Sequence, residues 1–563
     1  MKVIIVGGVA GGATAAARIR RLNEHAEITV FERSGYISYA NCGLPYYIGD
    51  VITDPEELTL QTPESFFKRF RINMKIHHEV ISIHPECKTV SVKNLENGEI
   101  FEENYDKLIL SPGAKPTQPR LPGVGIDKLF TLHTVEDTFR IKEYINKNHP
   151  KSAVLAGGGF IGLELAENLR ELGMDVTIVQ RPKQLMNPFD PDMASMIHNE
   201  MRKHGIKLVL GYTVEGFKGK DNGVEVLLKD NPSLQADMVV LAIGVTPDTV
   251  LAKEAGLELG IKESIVVNDR METSVPDIYA AGDAVQVKHY VTGNDALISL
   301  AGPANKQGRI IADNICGGDS RYLGSQGSSV IKVFDMTAAT TGINETNAKK
   351  SGLEVDTVIL SPMSHAGYYP GGKVMTMKVI FEKESYRLLG AQIIGYEGVD
   401  KRIDVLATAI HAGLNATQLK DLDLAYAPPY SSAKDPVNMA GFMIDNIAKG
   451  TLKQWHLEDM DKISKDKDVV LLDVRTVGEF SRGHIDGFKN IPVDELRERI
   501  SEIEKGKPVY LICQSGLRSY IASRILEGNG YETYNFSGGF RFYDAVVNDR
   551  ALIERAYACG MDY

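Results

Sequence analysis

The chain has 563 residues, which is too many for one hydrophobic core and predicts roughly three to five domains. Its 43% apolar and 24% charged residues are typical of an ordinary globular protein. The formal net charge of −11 argues against a nucleic-acid partner, because such a partner calls for a basic surface. There is no run of about 18 apolar residues and no cleavable apolar N-terminal segment, so we expect no membrane span and a cytoplasmic location.

The cysteines are few and scattered, and no CxxC pair occurs among Cys42, Cys87, Cys316, Cys513 and Cys559. This spacing excludes a disulfide framework, a zinc ribbon and a thioredoxin-type dithiol, and we expect no metal site. Cys87, Cys316 and Cys559 stand in no recognisable motif. We interpret these three as structural or incidental.

The first predicted elements form a βαβ unit. An apolar strand at residues 3–6 leads into the glycine-rich turn Gly7–Gly12 and an Ala/Arg-rich helix, and a second strand at 28–31 ends at Glu32. Such a turn lets the backbone approach a pyrophosphate at a helix N-terminus, while the acid binds ribose hydroxyls. Val9 occupies the middle glycine position of the GxGxxG fingerprint, so this turn alone is an imperfect match.

The same unit occurs a second time. A strand at 154–156 precedes Gly157–Gly162, a complete GxGxxG, and a helix and a strand at 176–179 follow. Two units predict two bound dinucleotides. Gln180 aligns with Glu32, and it would not repel the 2′-phosphate of NADP, so NADH and NADPH both remain open. Arg181 either contacts that phosphate or is an ordinary exposed arginine.

Three further segments complete the pattern. A strand beginning at residue 108 breaks at Pro112-Gly113, the segment 239–244 resembles it, and a short strand at 278–281 ends in Gly282-Asp283. Across roughly residues 1–445 the order of these features resembles the FAD/NAD(P)-linked disulfide reductase superfamily. The resemblance implies an α/β fold with two Rossmann-like dinucleotide-binding domains, the second inserted into the first, and an α/β dimerisation domain.

The resemblance also implies cofactor contacts and domain limits. The FAD contacts are Gly7, Val9, Ala10, Gly11, Gly12, Glu32, Arg33, Val80, Gly113, Gly282, Asp283 and Ala301. The NAD(P) contacts are Gly157, Gly159, Phe160, Ile161, Gly162, Gln180 and Gly244. The predicted domains are FAD-binding at 1–115 and 246–325, NAD(P)-binding at 116–245, dimerisation at 326–448, a linker at 449–461 and a C-terminal domain at 462–555.

Cys42 is the candidate redox cysteine. It lies in a polar, glycine-containing segment before Pro45, which suits a helix start, and a thiolate is stabilised near a helix N-terminus. Without a second nearby cysteine it can store an oxidising equivalent only as a sulfenic acid or a mixed disulfide. The segment resembles coenzyme A disulfide reductases and coenzyme A persulfide or polysulfide reductases. NADH peroxidases and some NADH oxidases share the single cysteine.

Several residues match the substrate positions of the coenzyme A enzymes. Arg18 and Arg21 are three residues apart and therefore share one helix face, which could bind phosphates or simply be a solvated face. Two tyrosines, Tyr368 and Tyr426, match a pair that faces the cysteine across the dimer in that family, where a phenol can donate a proton to the departing thiolate. The other matching positions are Thr14, Ser38, Asn41, Arg71, Asn305 and Lys434.

The last domain has its own signature. Cys513 follows a predicted strand at 509–512 and begins a CxxxxR loop that ends at Arg518, where backbone N–H groups and the arginine would hold a thiolate or persulfide. With the motifs at 473–475 and 483–487, this loop resembles rhodaneses. The related phosphatases have one more residue in the loop.

These features predict an FAD-dependent NAD(P)H oxidoreductase that acts through Cys42 on coenzyme A disulfide, coenzyme A persulfide or polysulfide. Coenzyme A would be a substrate or a bound thiol, the rhodanese-like domain would transfer sulfur, and the active site would be shared across a homodimer. One alternative is an NADH oxidase or peroxidase using a cysteine sulfenate. Those enzymes usually carry a histidine where this chain has Ala10. A redox-sensing flavoprotein is the other alternative.

Overall fold

The computed structural model describes residues 1–59 and 61–558, with side chains up to residue 555. Cys559 therefore lies outside the described residues. The chain forms two compact units. The first unit comprises Met1–Pro182 and Gly205–Gly327, and the second comprises Lys183–His204 and Ser328–Tyr563. No helix of the described part of the chain is long and apolar enough to cross a membrane.

The first unit contains two parallel five-stranded sheets with buried apolar strands, as βαβ connections require. Val3, Ile4 and Ile5 are fully buried in the central strand of the first sheet. The spatial order of that sheet is Ile278–Ala280, Lys107–Leu110, Lys2–Val6, Glu27–Phe31 and Asn73–Lys75. The second sheet has the order Lys207–Leu210, Asp175–Gln180, Ser152–Ala156, Met238–Leu241 and Leu129–Thr131.

Each glycine-rich turn connects the central strand of its sheet to a helix, Ala10–Leu22 in the first case and Phe160–Glu171 in the second. Ligands bind outside the carboxyl ends of strands in such sheets. The other helices of this unit are Leu44–Ile48, Pro63–Phe70, Val135–Asn148, Val250–Glu254 and Ala301–Ile315. Its smaller strands are His78–His84, Thr89–Asn94, Ile100–Asn104, Ala114–Pro116, Val214–Lys220, Gly223–Leu228, Asn231–Ala236, Val245–Pro247, Val287–Lys288 and Asp295–Ala296.

The second unit contains one antiparallel and one parallel sheet. The antiparallel sheet has the order Ser329–Val333, Met336–Gly342, Leu388–Gly395, Met375–Glu382 and Val355–Leu360. The parallel sheet has the order Gln454–Trp455, Thr533–Phe536, Val509–Ile512, Val470–Asp473 and Lys489–Asn490. The helices are Pro191–Lys203, Glu345–Lys350, Val399–His411, Pro436–Ala448, Met460–Ile463, Val477–Ser481, Leu517–Glu527 and Gly539–Ala558. The predicted fold class is confirmed in both units.

The helix Pro191–Lys203 belongs to the second unit, although the residues on either side of 183–204 belong to the first. Buried charges attach it. Lys378 in the antiparallel sheet is 1% exposed and lies 3.2 Å from a carboxylate oxygen of Asp190 and 2.8 Å from one of Asp192. From the middle of the helix, buried His198 donates from Nδ1 to Asp549 of the C-terminal helix over 2.8 Å.

Candidate active site

A cavity of about 530 Å³ lies at the carboxyl ends of the first parallel sheet. It is lined by the glycine-rich turn, the acid after the second strand and the Gly-Asp segment, as the fingerprint predicts. Ten of the twelve predicted FAD contacts line it, namely Gly7, Val9, Ala10, Gly11, Glu32, Arg33, Val80, Gly113, Gly282 and Asp283. Gly12 and Ala301 are not among its lining residues, and the helix of Ala301 contributes Ala304 instead.

Two glycines of the first turn have no room for a side chain. A methyl group on Gly7 would lie 2.1 Å from the carbonyl oxygen of Ser111, and one on Gly12 would lie 2.0 Å from the carbonyl oxygen of Gly7. Opposite the turn, the Glu32 carboxylate accepts from the backbone N–H of Gly8 over 2.8 Å. An open turn of bare backbone beside a buried carboxylate fits the pyrophosphate and ribose of FAD.

The second turn repeats this geometry. The N–H of Gly158 donates to the side-chain oxygen of Gln180 over 3.1 Å, in the position of the Gly8–Glu32 bond. A methyl group on Gly162 would lie 2.2 Å from the carbonyl oxygen of Gly157. Phe160 and Ile161 begin the following helix, and nothing lies within 4 Å of a methyl group on Gly159. This turn fits a second dinucleotide, with an amide in place of the acid.

Cys42 lies in a 3-10 turn, Asn41–Gly43, immediately before the helix Leu44–Ile48. It is exposed, and the neighbouring Asn41 lines the cavity at the carboxyl ends of the first parallel sheet. The surroundings of Cys42 act against the expected stabilisation of its thiolate. Partial burial raises the pKa of the Cys42 thiol, and the carboxylates of Glu164 and Asp283 raise it further. The helix after Cys42 has only five residues, so its N-terminus contributes little.

Glu164 was not predicted as part of the site. It lies in the helix Phe160–Glu171 of the second dinucleotide unit, and the hydroxyl of Tyr46 donates to it over 3.5 Å. Burial raises the pKa of its carboxyl to about 7. The local pattern gave no signal, because the contact joins two helices more than 100 residues apart.

Some residues of the helix face predicted to bind phosphates already have partners within the protein. Nε of Arg18 lies 2.7 Å from a carboxylate oxygen of Asp313, while Arg21 is exposed. Thr14 donates to the side-chain oxygen of Asn305 over 2.5 Å, so these two predicted substrate residues are in contact. Arg71 caps the helix Pro63–Phe70 and is also exposed.

Two further substrate positions lie elsewhere. The N–H of Ser38 donates to the Gly8 carbonyl over 2.9 Å, which brings this residue to the first glycine turn. Lys434 is exposed and lies in the second unit.

The two predicted tyrosines meet each other in the second unit. The hydroxyls of Tyr368 and Tyr426 are 2.7 Å apart, and the side chains are 76% and 46% exposed. The hydrogen bond to Tyr368 raises the pKa of Tyr426. Two adjacent phenols on an open surface can supply one proton while the second hydroxyl stabilises the resulting oxyanion.

Cys513 is a buried thiol whose sulfur accepts two hydrogen bonds. It is 1% exposed at the end of the strand Val509–Ile512. Its Sγ accepts from the N–H of Gly516 and from the hydroxyl of Ser519, each over 3.1 Å. Ser519 was not predicted, although its place directly after the CxxxxR loop offered a signal.

Arg518 has a partner that was not predicted. Its guanidinium makes a bidentate pair with Glu479, with both N–O distances at 2.7 Å. The pair lowers the pKa of Glu479 to about 2. Glu479 lies 39 residues earlier in the chain, in the helix Val477–Ser481, and the loop motif alone could not reveal this partner.

The remaining cysteines have no comparable surroundings. Cys87 is exposed and Cys316 half-buried, and both are free thiols. Among the described residues, no group of three or more His, Cys, Asp or Glu side chains could hold a metal ion.

Family models match three parts of the chain. The pyridine nucleotide-disulphide oxidoreductase model matches residues 1–308, its dimerisation domain matches 328–436, and the rhodanese-like domain matches 456–545. The first of these covers more than half of the chain.

Individual proteins agree with this assignment. A coenzyme A disulfide reductase of Staphylococcus aureus (strain JH9) is 38% identical over 442 residues, 78% of this chain and 99% of the relative. The crystal structure of reduced Bacillus anthracis CoADR-RHD is 48% identical, with a TM-score of 0.95 and 98% of each chain covered. The structure of a NAD-dependent persulfide reductase from A. fulgidus is 38% identical, with a TM-score of 0.90, 96% of this chain and 100% of that chain covered. The chain therefore belongs to the pyridine nucleotide-disulphide oxidoreductase family, as an enzyme that uses FAD and a nicotinamide dinucleotide and carries a rhodanese-like domain after its dimerisation domain.

Proposed function

We propose that this enzyme reduces coenzyme A persulfide and coenzyme A disulfide at Cys42 and that its rhodanese-like domain delivers sulfur through Cys513. The observation that carries the proposal is the pair of unlike cysteines in one chain. Cys42 is an exposed thiol next to a cavity that fits FAD. Cys513 is a buried thiol whose sulfur accepts two hydrogen bonds. The similarity to a coenzyme A disulfide reductase and to a persulfide reductase supports both parts.

The reduction begins at the Cys42 sulfur. The thiolate attacks the inner sulfur of a coenzyme A persulfide, the one bonded to carbon. A Cys42–coenzyme A disulfide forms, and the old S–S bond breaks to release hydrosulfide. With coenzyme A disulfide the same attack releases a coenzyme A thiolate. When bound, the nicotinamide and flavin supply the two electrons that return the mixed disulfide to two thiolates.

The other predicted site residues would bind coenzyme A or protonate the departing thiolate. Arg18, Arg21 and Thr14 would hold the phosphates of coenzyme A, with Ser38, Asn41, Arg71, Asn305 and Lys434 as further contacts. Tyr368 and Tyr426 would donate a proton to the departing thiolate from the partner subunit of a homodimer. Their mutual 2.7 Å hydrogen bond supports a shared role.

The fused sulfur-handling domain favours a persulfide over a plain disulfide as substrate. Cys513 would take a sulfane sulfur and pass it to coenzyme A, whose persulfide Cys42 would then reduce. An enzyme that reduces only coenzyme A disulfide has no evident use for such a domain.

Two serine variants test the proposal, because serine is nearly isosteric with cysteine but supplies no thiolate near neutral pH. Cys42→Ser should retain FAD and its reduction by NAD(P)H but lose turnover of coenzyme A disulfide and persulfide. Cys513→Ser should retain both of those turnovers and lose sulfur transfer from sulfane-sulfur donors. Steady-state kinetics with coenzyme A disulfide, coenzyme A persulfide, polysulfide and oxygen would give the substrate order. Disulfide turnover that survives in Cys42→Ser, or oxygen as the best substrate, would refute the proposal.

A further inference from the structure

The charge of Arg518, the arginine of the Cys513 loop, is balanced by a carboxylate of the protein itself. Arg518 binds both carboxylate oxygens of Glu479 at 2.7 Å, and the two side chains are 31% and 21% exposed. A bidentate guanidinium–carboxylate pair is among the stronger polar contacts in proteins. An anion that approaches Arg518 must therefore compete with a carboxylate already in place.

The next arginine along this end of the sheet is neutralised in the same way. Arg475 is 1% exposed, hydrogen-bonds both oxygens of Asp473 and lies 3.8 Å over the ring of Phe540. Cys513 receives its hydrogen bonds from neutral groups, the N–H of Gly516 and the hydroxyl of Ser519.

The residues that flank the Arg518–Glu479 pair are apolar and open to solvent. Val477 begins the helix that carries Glu479 and is 62% exposed, and Leu517 precedes Arg518 and is 65% exposed. The surface around the loop thus combines a paired Arg518 and Glu479 with aliphatic side chains, and the exposed Arg482 and Arg541 lie at its margin. Such a surface suits a sulfur carried on an aliphatic arm better than a small dianion.

We infer that Glu479 is a positioning residue that sets the donor specificity of the rhodanese-like domain. By engaging Arg518 it favours organic persulfides on an aliphatic arm over sulfonate-bearing donors such as thiosulfate. This inference rests on the sulfur-transfer part of the proposed function and names its donor class.

The favoured reaction balances without a further oxidant. The Cys513 thiolate attacks the terminal sulfur of R–S–SH, the new bond gives Cys513–S–SH, and the old S–S bond breaks to release R–S⁻. With thiosulfate the same attack releases sulfite, a dianion that needs a cation beside it. Because Arg518 is paired with Glu479, its guanidinium is not available to stabilise the sulfite.

Glu479→Gln is the sharpest test, because it deletes the charge and keeps the fold of the helix start. Glu479 closes a capping box with Thr476, and glutamine serves equally in that position. The assay is thiocyanate formation from cyanide with thiosulfate or with N-acetylcysteamine persulfide, which carries no sulfonate, with Cys513→Ser as the blank. We expect kcat/KM for thiosulfate to rise about tenfold or more, mainly through KM, while the persulfide value changes little. The gain should shrink as salt is added.

Two further variants separate specificity from general damage. Glu479→Gln/Arg518→Gln should return thiosulfate use to the wild-type level, because the released cation is gone. Glu495→Gln makes the same charge change at a carboxylate that pairs with Arg499 and should alter neither donor. An unchanged donor ratio in Glu479→Gln, or a gain that survives in the double variant, would overturn the inference while leaving the proposed function intact. If neither donor reacts above the blank in the wild type, the sulfur-transfer proposal fails and takes this inference with it.

Discussion

Cys42 is an exposed residue, and the pKa of its thiol is raised. Burial is the largest cause, and the carboxylates of Glu164 and Asp283 add to it. Because the pKa of Glu164 is about 7, Glu164 is charged in the alkaline range where Cys42 titrates. Glu164→Gln should therefore lower the pKa of Cys42 and shift its alkylation profile to lower pH.

The rate of iodoacetamide labelling at the Cys42 peptide, measured against pH by mass spectrometry, checks this prediction. Exposed Cys87 provides an internal reference in the same sample. Glu171→Gln, at the exposed end of the same helix, is the matched control. A Cys42 profile that does not move, or that moves to higher pH, would contradict the electrostatic account.

The arginines of the first helix give a second residue-scale prediction. Arg18→Ala and Arg21→Ala should each raise KM for coenzyme A substrates by roughly ten- to a hundredfold, because each removes a charge-assisted phosphate contact. Polysulfide turnover should hardly change, because polysulfide carries no phosphate. Arg309→Ala, which removes a cation 3.9 Å from the same Asp313, is the control for a general loss of charge. Equal losses for both substrate classes would exclude a phosphate-binding role.

Single residues were predictable where a short motif fixes the backbone. Gly7, Glu32 and Cys513 lie where their motifs predict. The surroundings of Cys42 and Arg518 were not predictable, because Glu164 and Glu479 reach them from helices distant in sequence. Electrostatics of this kind depends on tertiary contacts that local patterns do not encode.

At the scale of elements, Lys378 fastens the helix Pro191–Lys203 to the antiparallel sheet. Its buried ammonium faces Asp190, Asp192 and Glu345, the last at 2.7 Å. Lys378→Met should destabilise the second unit by about 3–5 kcal/mol, because the carboxylates lose their buried counter-charge.

Urea unfolding followed by tryptophan fluorescence can measure this effect, since the chain's single tryptophan, Trp455, is buried in the second unit. Lys349→Met is the matched control. Lys349 pairs with the same Glu345 but is 49% exposed, so its loss should cost less than about 1 kcal/mol. Similar losses for the two variants would show that the buried pairing contributes little.

The strands were the most predictable elements. The predicted strand at 509–512 is Val509–Ile512, and that at 3–6 is Lys2–Val6, because buried parallel strands appear as continuous apolar runs. The attachment of Pro191–Lys203 was not predictable, since Asp190 and Lys378 are 188 residues apart in the sequence.

For the whole molecule, the central prediction is that the reducing site is built from two subunits. Hybrid dimers of Cys42→Ser subunits and Tyr368→Phe/Tyr426→Phe subunits test it. Each homodimer should be strongly impaired. A hybrid has one site with both defects and one site with neither, so it should recover about half of the wild-type activity. No recovery in purified, differently tagged hybrids would place cysteine and tyrosines of each site in one subunit.

The contact between His198 and Asp549 has a consequence for the evolutionary loss of the C-terminal rhodanese-like domain. His198 is buried, accepts from the N–H of Leu185 through Nε2 and donates to Asp549 through Nδ1, and Arg202 pairs with the same carboxylate. A descendant gene that ended before the C-terminal domain would leave this histidine and arginine without their acid. Loss of the domain would open to solvent the face of the helix Pro191–Lys203 on which His198 is now buried. The helix Pro191–Lys203 and the C-terminal helix should therefore change together in evolution. Substitutions at 198 and 202 should accompany loss of the acid at 549.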